Sequence, residues 1–203
     1  MTRLYFIRHG RSIWNAERRI QGRSDPPLDE MGREQARKLA ERMRGGETLA
    51  ALYASPLQRA RETAEIVGEA LGLEVIADDR LREYDVGDLA GLTWSQIEER
   101  FPGVARRWSE ADESLELPGA EPHAQFRVQM VAVVEEIVAR HAEESVGVVS
   151  HGGAIGAYLN HLLNIPSRYT PFRFGNTSLS IVEVDPVRPH IVLLNDTCHL
   201  GGE

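Results

Sequence analysis

The stretch LYFIRHGRSIWN, residues 4–15, joins a run of apolar residues to an arginine, a histidine and a glycine. Residues 4–7 predict a buried strand, and the chain leaves that strand through Arg8, His9 and Gly10. Histidine changes its charge near neutral pH, and glycine lets the backbone approach a ligand closely. The stretch therefore predicts a strand whose end presents a basic turn to a ligand.

Strand patterns of this kind alternate with helical patterns along the chain. Asp29 is the predicted cap of one helix, and a third long helix is predicted over 124–142. The start of the helix between them is predicted at SPLQ, with Ser55 as N-cap, Pro56 at the first helical position and Gln58 completing a capping box. Strands are predicted at 3–7, 51–54, 73–76, 146–149, 178–184 and 190–195, the last two forming a hairpin around DPVRP (185–189).

This alternation predicts the α/β class, as a three-layer α/β/α sandwich with a mainly parallel sheet and an antiparallel C-terminal strand. Between about residues 89 and 122 the alternation gives way to short helical pieces interrupted by proline and glycine. We interpret 89–122 as a small helical lid inserted into a single domain, 1–203. Its aromatic residues Trp94, Phe101 and Trp108 either pack a small core of the lid or line a site below it.

Composition narrows the classes of partner. The chain has 203 residues and a formal net charge of −8, which argues against a nucleic-acid or anionic-membrane partner. Its one cysteine, Cys198, cannot form an internal disulfide, and the apolar run at the N-terminus is too short for a signal peptide or membrane span. We therefore expect a cytoplasmic protein. The histidines lack metal-ligand spacing, so no metal or other cofactor is expected.

Charged and histidine side chains collect where the predicted strands end. His9 follows the first strand, Arg59 follows 51–54, Glu83 comes after 73–76, and His151 follows 146–149. Ligands of open α/β sheets bind at the carboxyl ends of the strands, so these four side chains are expected to share one crevice. Each of them alone is more often a surface or ion-paired residue, but four at one edge favour a functional site.

The stretches RHGRSIWNAERRIQG, SPLQRARETA, LREYDVGDLAGLTW and SHGGAIGAYL together resemble the histidine phosphatase superfamily, the phosphoglycerate-mutase-like proteins. The resemblance covers essentially the whole chain in the same order. By position it implies that His9 is the phosphorylated nucleophile and that Glu83 is the acid. It implies a phosphate pocket and further phosphate or substrate contacts at Arg8, Arg59, His151, Ser12, Asn15, Gln21, Gly22 and Gly152.

One position departs from the family pattern, since Arg11 stands where glutamate or glutamine is most frequent. Arg11 either adds a cation at the mouth of the pocket or points to solvent. The resemblance implies a phosphatase that hydrolyses phosphate monoesters of small metabolites. A phosphoglycerate mutase is the first alternative within the family. The lid has one adjacent arginine pair, Arg106 and Arg107, which fits one side of an amphipathic helix better than a substrate contact. A non-catalytic phosphate-binding protein is the second, and a homodimer stays open.

Overall fold

A six-stranded sheet forms the centre of the fold in the computed structural model, which describes residues 1–46, 48–185 and 188–201. The strand order is β3-β2-β4-β1-β5-β6. The first four strands of that order are parallel, and β5 is antiparallel to both of its neighbours. The strands are β1 (Thr2–Arg8), β2 (Ala51–Ala54), β3 (Val75–Ala77), β4 (Ser145–Ser150), β5 (Leu179–Val184) and β6 (His190–Asp196).

Helices cover both faces of this sheet. The helices are α1 (Ile13–Ala16), α2 (Glu30–Arg44), α3 (Gln58–Leu71), α4 (Trp94–Arg100), α5 (Val104–Ser109), α6 (His123–Arg140) and α7 (Gly152–Leu162). Helices α2 and α3 pack on one face, and α6 and α7 pack on the other. Side chains of β1 alternate between the faces, because successive residues of a strand point in opposite directions. Leu4 and Phe6 pack in one core with α6 and α7, whereas Tyr5 and Ile7 pack in the other with α2 and α3. The predicted three-layer α/β class is confirmed.

Most strand ends differ by one residue from the prediction, and the start of the third strand differs by two. Strand β3 begins at Val75 rather than at 73, because Gly72 adopts a left-handed conformation (φ 70°) and the amide of Leu73 donates to the carbonyl of Gly68 at 2.9 Å. Leu73 therefore belongs to the C-terminal cap of α3. Strands β5 and β6 pair in antiparallel fashion as expected, but positions 186 and 187 of the predicted hairpin turn lie outside the described residues.

The predicted cap of α3 is wrong. The helix begins at Gln58 with Leu57 at the cap position, and no side chain of that residue caps it. The carboxylate of Asp25 accepts instead from the backbone amide of Gln58 at 2.6 Å. Ser55, two residues before Leu57, is buried, and its hydroxyl is 2.8 Å from Nε2 of His151. Its hydroxyl thus serves a buried histidine rather than the helix end.

The lid (residues 89–122) packs as a separate layer above the carboxyl edge of the sheet. Helices α4 and α5 enclose a small apolar cluster that includes Leu89, Ile97 and Leu115. Phe101 and Trp108 are packed against that cluster. Both predicted roles of the lid aromatics therefore occur at Trp108, which packs in the lid and also lines the cleft described below.

The core on the α2–α3 face gives a stability test. Leu39 of α2 is fully buried, whereas Met31 of the same helix is 41% exposed. Leu39→Ala should lower the free energy of unfolding by about 2–5 kcal/mol, because it removes buried methyl groups and leaves a cavity. Met31→Ala, the matched control, should change it by no more than about 0.5 kcal/mol. Chemical denaturation measures both, and equal losses would contradict this assignment of the core.

Candidate active site

The carboxyl ends of the parallel strands converge on one crevice. In the register of β1 and β4, Arg8 lies opposite Ser150, and Ala54 of β2 lies opposite Val149. His9, Ser55 and His151 each follow directly after one of these strand ends. The sheet thus delivers both buried histidines to the same edge, with their ring centroids 5.2 Å apart.

The ring of His9 is held in one tautomer by the backbone. Its Nδ1 lies 2.7 Å from the carbonyl oxygen of Gly10, which can only accept, so Nδ1 carries the proton. Its Nε2 is then the unprotonated nitrogen, and Nε of Arg59 donates to it at 3.3 Å. An unprotonated Nε2, whose lone pair can be turned to an incoming phosphorus atom, is what a nucleophilic imidazole requires.

Burial and positive charge keep both histidines neutral. Burial lowers the pKa of His9 well below its usual 6.5, and Arg59 and Arg8 lower it further against the smaller opposing effect of the Gly10 carbonyl. Burial likewise lowers the pKa of His151 well below 6.5, with Arg59, His9 and Arg8 adding to the effect. An imidazolium in this crevice would be desolvated beside two guanidinium groups.

The two arginines are held by backbone carbonyls. Arg59 is buried, and its terminal nitrogens donate to the carbonyls of Ser24 at 2.7 Å and Gly22 at 2.8 Å. Burial lowers the pKa of Arg59 to about 10, so it stays charged at neutral pH. Arg8 donates to the carbonyl of Phe174. These hydrogen bonds go to uncharged carbonyls, while Glu83 is close enough to interact electrostatically with both guanidinium groups. Both arginines can still hydrogen-bond an anionic ligand.

Gly22 makes this arrangement possible through its backbone conformation. Its φ of 51° lies in the left-handed region, and a Cβ there would stand 2.6 Å from Cγ2 of Val86. The turn at Gly22 therefore brings its carbonyl to Arg59 only if no side chain is present.

His151 is positioned by Ser55. The hydroxyl of Ser55 lies 2.8 Å from Nε2, while Nδ1 of the same ring is buried without a hydrogen-bond partner among the described residues. When the hydroxyl donates to Nε2, the proton of the neutral ring resides on Nδ1. His151 then offers an N–H to a ligand beside His9.

Glu83 sits at the N-terminus of α7. One of its carboxylate oxygens accepts from the amide of Gly153 at 3.0 Å, and the other accepts from the amide of Tyr84 at 2.9 Å. A Cβ at position 153 would approach the carboxylate to 2.4 Å, so only glycine allows this contact. Glu83 is thereby fixed at the crevice with its oxygens near the expected ligand.

Asn15, Gln21 and Ser12 form one hydrogen-bonded group beside His9. The hydroxyl of Ser12 lies 3.1 Å from Oδ1 of Asn15 and 2.8 Å from Oε1 of Gln21. Asn176 joins this group to His9, since its amide nitrogen donates to Oδ1 of Asn15 at 3.3 Å and to the carbonyl of His9 at 3.1 Å. Asn15 and Gln21 line the crevice, whereas Ser12 is fully buried behind them. The structure thus places Ser12 against the two lining residues.

The crevice is a cavity of about 330 Å³, called here the catalytic cleft. The sequence-predicted residues that line it are Arg8, His9, Asn15, Gln21, Gly22, Arg59, Glu83 and Gly152. The predicted His151 is not among the described lining residues; it is buried, and its ring packs against that of His9. Other residues also line it and were not predicted, although all of them lie within the motifs quoted above: Arg19, Ile20, Tyr84, Val86 and Gly153. No periodic signal marks Arg19, which is positioned by the carbonyl of Gly91 at 2.7 Å.

Arg11 has a different environment from either expectation. Its Nε donates to the carboxylate of Asp29 at 2.6 Å, and that same carboxylate caps α2. It does not line the cleft within the described part of the chain. Arg11 therefore anchors the start of α2 through an ion pair.

The described ranges contain neither a metal-binding cluster nor a membrane-spanning helix. No group of three or more His, Cys, Asp or Glu side chains in residues 1–46, 48–185 and 188–201 is placed to hold a metal ion. Within those same ranges, no helix is long and apolar enough to cross a membrane. Cys198 is exposed.

An α/β/α fold with a buried histidine pair and two arginines at the strand ends defines an enzyme that handles phosphoryl groups. The model of the histidine phosphatase superfamily, branch 1, matches residues 4–197. The chain belongs to this superfamily. The predicted family is therefore confirmed.

Individual relatives include both phosphatases and a probable mutase. The chain is 38% identical over 202 residues to phosphoserine phosphatase 1 of Hydrogenobacter thermophilus, covering 99% of this chain and 95% of the relative. It is 35% identical over 187 residues to a probable phosphoglycerate mutase GpmB of an Enterobacter species, covering 91% and 85%. A solved mycobacterial glucosyl-3-phosphoglycerate phosphatase, in complex with VO₃, superposes with a TM-score of 0.85 at 35% identity, covering 95% and 98%. Together with the superfamily match, these relatives confirm the predicted phosphatase class.

The protonation states of the two buried histidines can be measured directly. On lowering the pH from about 8 to about 6, ¹⁵N shifts should show both rings staying neutral, with the proton of His9 on Nδ1, because their pKa values lie below the usual 6.5. Spectra of His9→Asn and His151→Asn assign the signals. A ring that takes up a proton near pH 6.5 would contradict the cationic environment described here.

Proposed function

We propose that this protein hydrolyses phosphate monoesters of small metabolites through a phosphohistidine intermediate on His9. The observation that supports this most strongly is the unprotonated Nε2 of His9 beside the buried guanidinium of Arg59. A nucleophile and a fixed cation at one point suit attack on phosphorus, because the cation stabilises the charge on the phosphoryl oxygens.

In the first step, Nε2 of His9 attacks phosphorus in line with the ester oxygen. The P–Nε2 bond forms, the P–O bond to the alcohol breaks, and Glu83 gives its proton to the departing oxygen. Arg8, Arg59 and the N–H of His151 hold the phosphoryl oxygens throughout. Glu83 is assigned the acid role because its carboxyl group lines the cleft, where the amides of Tyr84 and Gly153 fix its position.

In the second step, water attacks the phosphohistidine. Glu83, now a carboxylate, takes a proton from that water as the P–Nε2 bond breaks and inorganic phosphate leaves. His9 returns to its neutral form with the proton still on Nδ1, where the Gly10 carbonyl holds it. The cycle consumes one water and needs no other reactant.

The mutase alternative finds little support in the lid. A mutase needs a cation for the carboxylate of phosphoglycerate, and Arg106 and Arg107 were the candidates. Arg106 pairs with Glu110 at 2.9 Å, and Arg107 pairs with Asp112 at 2.6 Å. Neither lines the catalytic cleft among the residues the structure describes. These two arginines therefore give the mutase alternative no support.

Metal independence and a cytoplasmic location belong to the same proposal. The two arginines supply the positive charge that a metal ion would otherwise provide, so the steps above use none. The location rests on the lone, exposed Cys198, since a reducing compartment leaves thiols free.

The role of Glu83 gives the functional test. Glu83→Gln should slow phosphate release from alkyl phosphates by about 10²–10⁴-fold, because an alkoxide leaves poorly without a proton. Hydrolysis of p-nitrophenyl phosphate should fall far less, since nitrophenolate leaves without protonation. Steady-state rates with both esters, in EDTA, measure the difference.

Equal losses on both esters would make Glu83 a phosphate-positioning residue instead of the acid. Asp88→Asn serves as a matched carboxylate control in the same loop, because Asp88 does not line the cleft in the described structure. It should leave the ratio of the two rates at the wild-type value.

A further inference from the structure

A second cavity of about 210 Å³ opens beside the catalytic cleft and is called here the side cavity. The two share Tyr84, Trp108 and Gly153 as lining residues. The amide of Gly153 donates to Glu83 at 3.0 Å, so the side cavity begins next to the proposed acid. The alcohol portion of an ester whose bridging oxygen meets Glu83 would extend in this direction.

The side cavity is lined by apolar side chains and by one charged residue. Leu117, Phe126 and Ala157 give it apolar sides, and Arg168 is the one residue with a formal charge among its described lining residues. His123 also lines it, but burial lowers the pKa of His123, with Arg168 and Arg127 adding to the effect. The cavity thus combines apolar walls with a single positive charge.

Arg168 is fixed in place without a counter-charge. One terminal nitrogen donates to the carbonyl of Asp112 at 2.9 Å and to the hydroxyl of Tyr169 at 3.0 Å, and the guanidinium stacks 5.0 Å from the centre of that tyrosine ring. Its Nε is buried and has no hydrogen-bond partner among the described residues.

The acidic residues near the guanidinium of Arg168 interact with other groups. Glu113 accepts from the hydroxyl of Ser167 and from the backbone amide of Arg168 at 3.4 Å, not from the guanidinium. The carboxylate of Asp112 is paired with Arg107. The guanidinium of Arg168 therefore has no ion-pair partner within the described part of the chain, and a planar anion would supply the missing acceptor.

We propose that the side cavity binds the alcohol portion of the substrate and that Arg168 recognises a carboxylate on it. The substrate class is then the phosphate monoesters of small hydroxy acids. This proposal rests on the proposed function, because it takes the catalytic cleft as the phosphate site. Arg168 acts on specificity, since it lies in the side cavity and outside the catalytic cleft.

Binding to a variant that cannot turn over tests the proposal separately from catalysis. In the full chain carrying His9→Ala, calorimetry gives Kd for two matched pairs: 3-phosphoglycerate against glycerol 3-phosphate, and phosphoserine against phosphoethanolamine. Within each pair the ester with the carboxylate should bind at least about tenfold more tightly, the effect expected of a hydrogen-bonded charge pair.

Arg168→Gln, added to His9→Ala, should reduce this preference to about twofold or less, because glutamine keeps hydrogen-bonding groups but loses the charge. Arg127→Gln is the matched control: Arg127 lies near His123, donates to the carbonyl of Ile165 at 3.2 Å and does not line the side cavity as described. It should keep the full preference. Arg168→Lys, which retains the charge without the planar fork, should keep part of it.

Equal binding within both pairs by the protein with Arg168 in place would overturn the proposal, and this result needs no variant at position 168. A preference that survives in Arg168→Gln would overturn it as well, since another group would then bind the carboxylate. Phosphate release by the wild-type protein is measured in parallel with p-nitrophenyl phosphate. If the wild-type protein releases no phosphate from this ester, the proposed function is contradicted. The binding result would still test whether Arg168 recognises a carboxylate.

Discussion

The packing of the Arg8 and Arg59 guanidinium groups beside two buried histidines sets the charge and the protonation state of the catalytic cleft. A buried guanidinium is costly unless its N–H groups find acceptors. Here the acceptors are the carbonyls of Phe174, Ser24 and Gly22, which satisfy the donors without cancelling the charge. The remaining positive potential keeps His9 and His151 neutral and attracts a dianionic phosphate. Nucleophile activation and substrate attraction therefore have one physical cause.

Much of this could be predicted from the sequence because it follows from simple periodicities. The alternating side chains of LYFI assign β1 to two cores at once, and parallel strands must end at one edge. The same rule predicts that four side chains lie together, and the structure brings them to one edge of the sheet: His9, Arg59, Glu83 and His151. Their individual roles stay predictions.

What the sequence could not predict depends on tertiary contacts. Ser55 has the local pattern of an N-cap, yet the approach of His151 from β4 gives its hydroxyl another partner. The cap itself comes from Asp25, which is 33 residues away in the chain. Arg168 shows no motif at all, because its environment is created by the lid carbonyl of Asp112 and by the ring of Tyr169. Local propensity does not contain such long-range contacts.

The central claim is that Nε2 of His9 becomes phosphorylated. The most direct measurement is to quench the wild-type protein during turnover of a ³²P-labelled ester and to locate the label. The account predicts a phosphoryl group on His9 that is labile in acid and stable in base, and no trapped label in His9→Ala. A stable phosphoryl group on Ser12 or on any residue other than His9 would contradict it.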